Sequence, residues 1–99
     1  MTYSFKLFIN GEAIMSKRAI DNLNIILSKY FSSKDAEISV IDINEDRESA
    51  FENNVIATPT LVKISPHPVR KVIGDLSNIE RVFFGLGLQY LLSNTNGNN

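Results

Sequence analysis

Residues 55–77, VIATPTLVKISPHPVRKVIGDLS, hold all three prolines of the 99-residue chain, its one histidine and an adjacent basic pair. Proline fixes its own φ and has no N–H to give to a β ladder, so within strand-like sequence it marks a strand opening, an edge or a turn. TPTLVKI reads as a strand opening at Pro59, SPHP as a turn and VRKVI as a second strand; a tight turn makes the two a hairpin. Gly74 breaks the second strand. The flanking sequence supplies its neighbours.

Upstream, SFKLFIN alternates from Phe5, with Phe5, Leu7 and Ile9 on one side and Lys6, Phe8 and Asn10 on the other, a strand ended by Gly11. From Ser16 the period lengthens to three and four. Ala19, Ile20, Leu23, Ile26, Leu27 and Tyr30 make one helical stripe, and Ser16 suits the cap of its first turn. SSKDA, 32–36, is a polar loop before the strand EISVIDI, which puts Ile38, Val40 and Asp42 on one face and Ser39, Ile41 and Ile43 on the other. NEDRESAFENN gathers its acids toward its start, as a helix N-terminus favours, and Asn53-Asn54 tolerate the left-handed backbone that ends a helix. Beyond the hairpin, SNIE, 77–80, has the capping-box spacing, Ser77 as cap and Glu80 three residues on, and predicts a helix running to about Leu92. The composition of SNTNGNN, 93–99, is that of a frayed polar tail behind a single domain over 1–92.

The order is β-α-β-α-β-β-α. In the α/β class, two βαβ-like steps followed by a hairpin and a terminal helix make the thioredoxin-like arrangement, its first strands parallel and its last pair antiparallel. The proline at the mouth of the third strand in such folds commonly follows a cis bond, here Thr58–Pro59.

Ten basic and eleven acidic residues leave a formal charge of −1, without the basic footprint of nucleic-acid binding. No apolar run approaches the ~20 residues of a membrane span. MTYSFKLFIN lacks the small-residue cleavage site of a secretory leader, so a cytoplasmic chain is expected. The chain has no cysteine, which removes disulfides, thiolate catalysis and cysteine metal sites. A thioredoxin-like order raises redox chemistry, yet the loop where the reactive pair would sit, NGEAIMSKRA, offers Glu12, Met15 and Ser16 and no thiol. Ser16 also has no neighbouring histidine to serve as its base. Asp42, Glu45, Asp46 and Glu48 lack the spacing of a calcium loop and read as a solvated helix start rather than a Mg²⁺ or Ca²⁺ site. His67, between Pro66 and Pro68, reads as an exposed turn residue. No enzymatic activity, cofactor or metal is expected.

Arg70 and Lys71, with Lys63, form a small basic patch, which on an edge strand serves either to block aggregation or to dock a partner. In IERVFFGLGLQYLL, Ile79, Val82, Phe83, Leu86 and Tyr90 form one stripe, while Phe84, Leu88, Leu91 and Leu92 carry the apolar surface past what one sheet face covers. The excess points to an oligomer interface or an alternative packing. Gly85 and Gly87 each cost about 0.8–1 kcal/mol against alanine in a helix, so alanine at both is expected to favour the state that holds this segment helical.

ATPTLVKISPHPVRKVIGDLSNIERVFFGLGL, with KLFING and SKRAI before it, resembles the KaiB family of small circadian clock proteins from about Phe5 to Leu92. Its most specific part is the block Ala57–Ser77. The resemblance implies a non-catalytic protein with a thioredoxin-like state and a second, family-specific packing of the C-terminal part, in which it is a homo-oligomer, dimer or tetramer. It implies that the thioredoxin-like state binds the ring of KaiC, a RecA-type ATPase and autokinase. Arg18, Lys63, Arg70 and Lys71 are then expected to be exposed, at least two of them facing that partner. Pro59, Pro66, Pro68, Gly85 and Gly87 fall where the two packings diverge. Alternatives are a stand-alone relative of the KaiB-like sensing domain of a clock histidine kinase and a cysteine-less thioredoxin-fold enzyme. The chain departs from the family pattern at His67, which interrupts a proline run, and at Gly87, where GLG replaces GLD. Glu37 and Ser39 stand where the family shows a small residue and a lysine, which disfavours capture of the clock protein KaiA.

Overall fold

Alternation along SFKLFIN produces strand β1 (Tyr3–Ile9), and it lies inside a four-stranded sheet of order β2-β1-β3-β4. The structure, a computed structural model, describes residues 2–96. Helix α1 (Ile14–Tyr30) carries the chain over to β2 (Ala36–Asp42), which pairs with β1 in parallel. After α2 (Arg47–Glu52), β3 (Thr60–Ser65) pairs antiparallel with β1, and β4 (Arg70–Ile73) antiparallel with β3. Only the first βα step therefore yields a parallel pair. Helices α3 (Ile79–Leu86) and α4 (Tyr90–Asn96) follow. The thioredoxin-like order stands, with its last helix divided in two.

Both faces of the sheet are covered. Phe5, Leu7 and Ile9 bury their side chains with Leu61 and Val72 against the α1 stripe of Ala19, Leu23 and Ile26. On the other face Phe8, Thr60 and Val62 are buried as completely. Alternation alone puts Phe8 with Lys6 and Asn10, but a strand covered on two sides is apolar on both. Each fully buried leucine or phenylalanine contributes about 1.5–3 kcal/mol.

Helix α1 begins two residues before Ser16, behind Ala13, which provides no side-chain cap. Ser16 is buried instead, and its hydroxyl accepts the Asn10 N–H at 3.0 Å, so it stitches the β1–α1 loop rather than capping the helix. The acidic start of α2 behaves as its charge dictates: the Asp46 carboxylate accepts the Ser49 N–H at 3.0 Å. Asn53 ends α2, and Asn54 takes a left-handed φ of 55°. At α3 the cap is Asn78, whose side chain accepts the Arg81 N–H at 3.0 Å, in place of the expected Ser77–Glu80 box.

The helix expected to reach Leu92 stops at Leu86. Gly87 adopts φ 72°, the Gly87 N–H donates to the Phe84 carbonyl at 3.2 Å, and the Leu88 N–H donates to the Phe83 carbonyl at 2.8 Å. This is the glycine-terminated helix end in which the residue after glycine packs back on the last turn, and Leu88 and Phe83 are both buried. The break resolves most of the apolar excess. Turning at Gly87 lets Leu88 join the core and Leu91 and Leu92 pack on it, leaving Phe84 at 63% exposure. The hydroxyls of Tyr90 and Tyr3 share a hydrogen bond at 2.7 Å, fastening α4 to the start of β1. Helix α4 also extends into the stretch that composition assigns to a tail; residues 97–99 of that stretch lie outside the described residues.

The two glycines therefore act differently, and alanine at both does not simply favour helix. A Cβ on Gly85 meets one group, the Val72 Cγ2, at 2.6 Å, whereas Gly87 has a left-handed backbone. Gly87→Ala is expected to lower stability by about 1–2 kcal/mol. Gly85→Ala is expected to gain most of its helix propensity, about 1 kcal/mol, only when Val72→Ala removes the obstructing methyl. Denaturant midpoints of the single and double variants measure both. Burial, followed by the bond to Tyr90, pushes the Tyr3 hydroxyl up to about 12 from 10.0. The stability held in the neutral hydroxyl is present below pH 10 and lost as the pH climbs toward 12. Tyr3→Phe has no such proton, so its denaturation midpoint should fall less than the wild type's across that interval.

Candidate partner-binding surface

The hairpin is fixed at both ends. At its entry Thr58–Pro59 is cis, as expected, and the Pro59 carbonyl accepts the Gly74 N–H at 2.9 Å, joining the start of β3 to the end of β4. At the turn Ser65–Pro66 and His67–Pro68 are also cis, and His67 is exposed. Strand β4 forms one edge of the sheet and exposes Arg70 and Lys71.

Strand alternation separates these basic residues. Arg70 pairs with Lys63, and Val72 with Leu61, so all four share the face that α3 covers. Lys71 and Ile73 point to the other face, where the Lys71 ammonium donates to the Asn54 carbonyl at 3.1 Å. Lys63 is not exposed as expected: it is 3% accessible, and its ammonium donates to the Pro66 carbonyl at 2.8 Å. Burial first, and the Arg70 guanidinium second, push that ammonium's pKa below its ordinary value. Lys63 ties down the turn from inside. Arg70 beside it stays at the surface, and its Nε would lie 3.8 Å from a Cβ on Gly87.

Arg18 stands elsewhere, on the first turns of α1, which leave the opposite end of the sheet. Its Nη1 approaches the Met15 Sδ at 4.0 Å. Its charge also reaches Asp75, whose carboxyl is held below the usual range chiefly by hydrogen bonds to Ser77 and in smaller part by Arg18. The Asp75 carbonyl accepts from the Asn22 side chain at 2.8 Å, which pins the β4–α3 loop to α1. Buried Leu76 anchors this loop in a left-handed φ of 65°. Of the four basic residues, then, Arg70 and Lys71 are neighbours on one edge, Arg18 is separate and Lys63 is interior.

Two features escape a reading of the sequence. Phe51 and Ile56 are 84% and 88% exposed on either side of the Asn53–Asn54 turn to which Lys71 bonds. Both look like ordinary core residues in sequence; the only signal is that a helix as short as α2 has few apolar positions to bury. Glu37 and Ser39 lie exposed on β2, the opposite edge of the sheet, across from Ser4 and Lys6. Among the described residues no three metal-ligating side chains gather, and no helix is long and apolar enough to cross a membrane.

Residues 6–88 match the KaiB domain. Over 89 residues the chain is 47% identical to the circadian clock oscillator proteins KaiB of Thermostichus vulcanus and Thermosynechococcus vestitus, covering 90% of this chain and 82% of each of those. Among solved structures it resembles the N-terminal domain of Synechococcus elongatus SasA, with a TM-score of 0.72 and 18% identity over 95% of this chain and 86% of that one. It also resembles mitochondrial thioredoxin 3 of Saccharomyces cerevisiae, with a TM-score of 0.69 and 22% identity over 86% and 76%. The two structural likenesses fix the fold as thioredoxin-like. The sequence match runs from inside β1, through the proline hairpin, to the buried Leu88 that closes α3, and on that extent the chain belongs to the KaiB family.

Proposed function

We propose that this chain is a non-catalytic regulator that docks on a KaiC-type RecA-like ATPase ring and modulates its phosphorylation or ATPase cycle. The observation that carries this reading is the 47% identity to clock oscillator proteins over 89 residues, 90% of the chain. Exposed Arg18, Arg70 and Lys71 support it, because none forms an ion pair with a carboxylate among the described residues. Such cations are available to an acidic partner and steer its approach. A non-catalytic role draws support from the β1–α1 junction, which has no thiol and where the hydroxyl of Ser16, in the first turn of α1, is buried and engaged by the Asn10 N–H.

The likeness to the SasA domain favours a second reading, a stand-alone relative of a clock kinase's sensing domain, but its 18% identity sets it behind the first. Capture of KaiA by the complex is disfavoured by Glu37 and Ser39, which leave the β2 edge without the family's lysine. The alternative packing, with Pro59, Pro66, Pro68, Gly85 and Gly87 at its pivots and a dimer or tetramer as its form, belongs to the same proposal. The division of the last helix at Gly87 supports it, since the chain already changes direction there.

Mixing the chain with the KaiC-type ATPase of its host should give a complex that elutes early in size exclusion; pre-incubated samples that never shift would overturn the reading, and disulfide-reductase activity would revive an enzymatic one. The double substitution Arg70→Glu and Lys71→Glu should slow association, more strongly at low salt, with dissociation changed less. Stopped-flow association rates unchanged at every ionic strength would return both residues to guarding the sheet edge.

A further inference from the structure

Met15 carries the one sulfur among the described residues: the chain has no cysteine, and its other methionine is Met1. It sits in the first turn of α1, 44% exposed, three residues before Arg18 and with its Sδ 4.0 Å from the Arg18 Nη1. Neighbouring Lys17 is held by Glu12 at 3.1 Å, whereas among the described residues the Arg18 guanidinium meets only this weak sulfur acceptor. Asp75 feels the Arg18 charge, but its carboxylate is engaged by the Ser77 N–H.

We propose that Met15 is a peroxide-sensitive modification site that governs the freedom of Arg18, and through it, given the docking reading above, the rate at which the partner is met. The Sδ lone pair attacks one oxygen of a hydroperoxide; the S–O bond forms as the O–O bond breaks. Sulfur gives up two electrons, and the departing oxygen leaves as water (or an alcohol) after taking the hydroxyl proton. The product is methionine sulfoxide, whose oxygen is polar and a strong acceptor where the thioether was a poor one. A separation of 4.0 Å leaves room for that oxygen to reach hydrogen-bond distance from Nη1, about 2.7–2.9 Å for a cationic donor. The guanidinium is then drawn along the surface of α1 instead of extending from it. The fold is untouched, because the core side of this turn is occupied by buried Ser16 and Ala19, not by Met15.

The test oxidises the full chain and the Met15→Leu variant with hydrogen peroxide, locates the added oxygen by peptide mass, and follows the Arg18 Nε–Hε resonance and the association rate with the KaiC-type ring. In the wild type the resonance should shift and its solvent exchange slow, association should fall by roughly threefold or more, and methionine sulfoxide reductase should restore both. Met15→Leu should show neither change even when Met1 is oxidised. Complete oxidation of Met15 with an unmoved Arg18 resonance overturns the proposal, as does a moved resonance with an unchanged association rate. A ring that ignores the unoxidised chain overturns the docking reading instead, and the Arg18 resonance still decides whether the sulfoxide captures the guanidinium.

Discussion

Leu7 and Leu61 face each other across the two inner strands, one wholly and one almost wholly removed from water, and the rest of the molecule is arranged around that pair. Their strands must be covered on both faces, because Phe8 and Val62 on the reverse side are equally dry. The sheet order leaves β2 and β4 as the strands with a free edge. Burial confines charge to the edges and the loops, and among the described residues the one buried charge, Lys63, has a carbonyl to receive it. Truncating such a leucine to alanine in a well-packed core typically costs about 2–5 kcal/mol, a large part of the stability of a domain this small.

Periodic elements were legible in the sequence because periodicity reports burial directly. The β1 alternation, the α1 stripe from Ala19 to Tyr30 and the hairpin bounded by its prolines all appear in the fold. Caps were less legible. Ser16 has the chemistry of a cap and equally that of a buried acceptor, and the choice depended on the route of the β1–α1 loop past Asn10. At α3 the expected cap Ser77 is passed over for its neighbour Asn78, a residue type that caps equally well, and Leu76 just ahead of them is left-handed. Lys63 carried conflicting signals. Alternation from Leu61 placed it on the covered face while its charge argued for the surface; the Pro66 carbonyl, brought close by the turn, settled the matter.

The C-terminal third shows how one residue converts an apparent fault into packing. A straight helix from Asn78 onward would have left Leu88, Leu91 and Leu92 competing for one face with Val82, Phe83 and Leu86. The left-handed step at Gly87 redirects the chain by a turn, and the same leucines meet the core from a second direction. Any residue with a Cβ, an aspartate included, adopts that backbone less readily than glycine does. Phe84 is what remains unabsorbed, exposed on the far side of α3. Of the four residues that carry the apolar excess, three thus find a place within this packing and one stays exposed.

Arg70 and Lys71 are adjacent in sequence but stand on opposite faces of a strand with no neighbour on its outer side. A flat surface laid on either face of the sheet touches one of them and misses the other. Only a body arriving in the plane of the sheet, along the rim of β4, can hold both charges at once, as a jaw holds the margin of a plate. The backbone groups on that rim would then lie between the two charges, so the same approach that reads the cations also meets the unpaired amides and carbonyls of the strand. Simultaneous use of both side chains therefore prescribes the direction from which a partner must come.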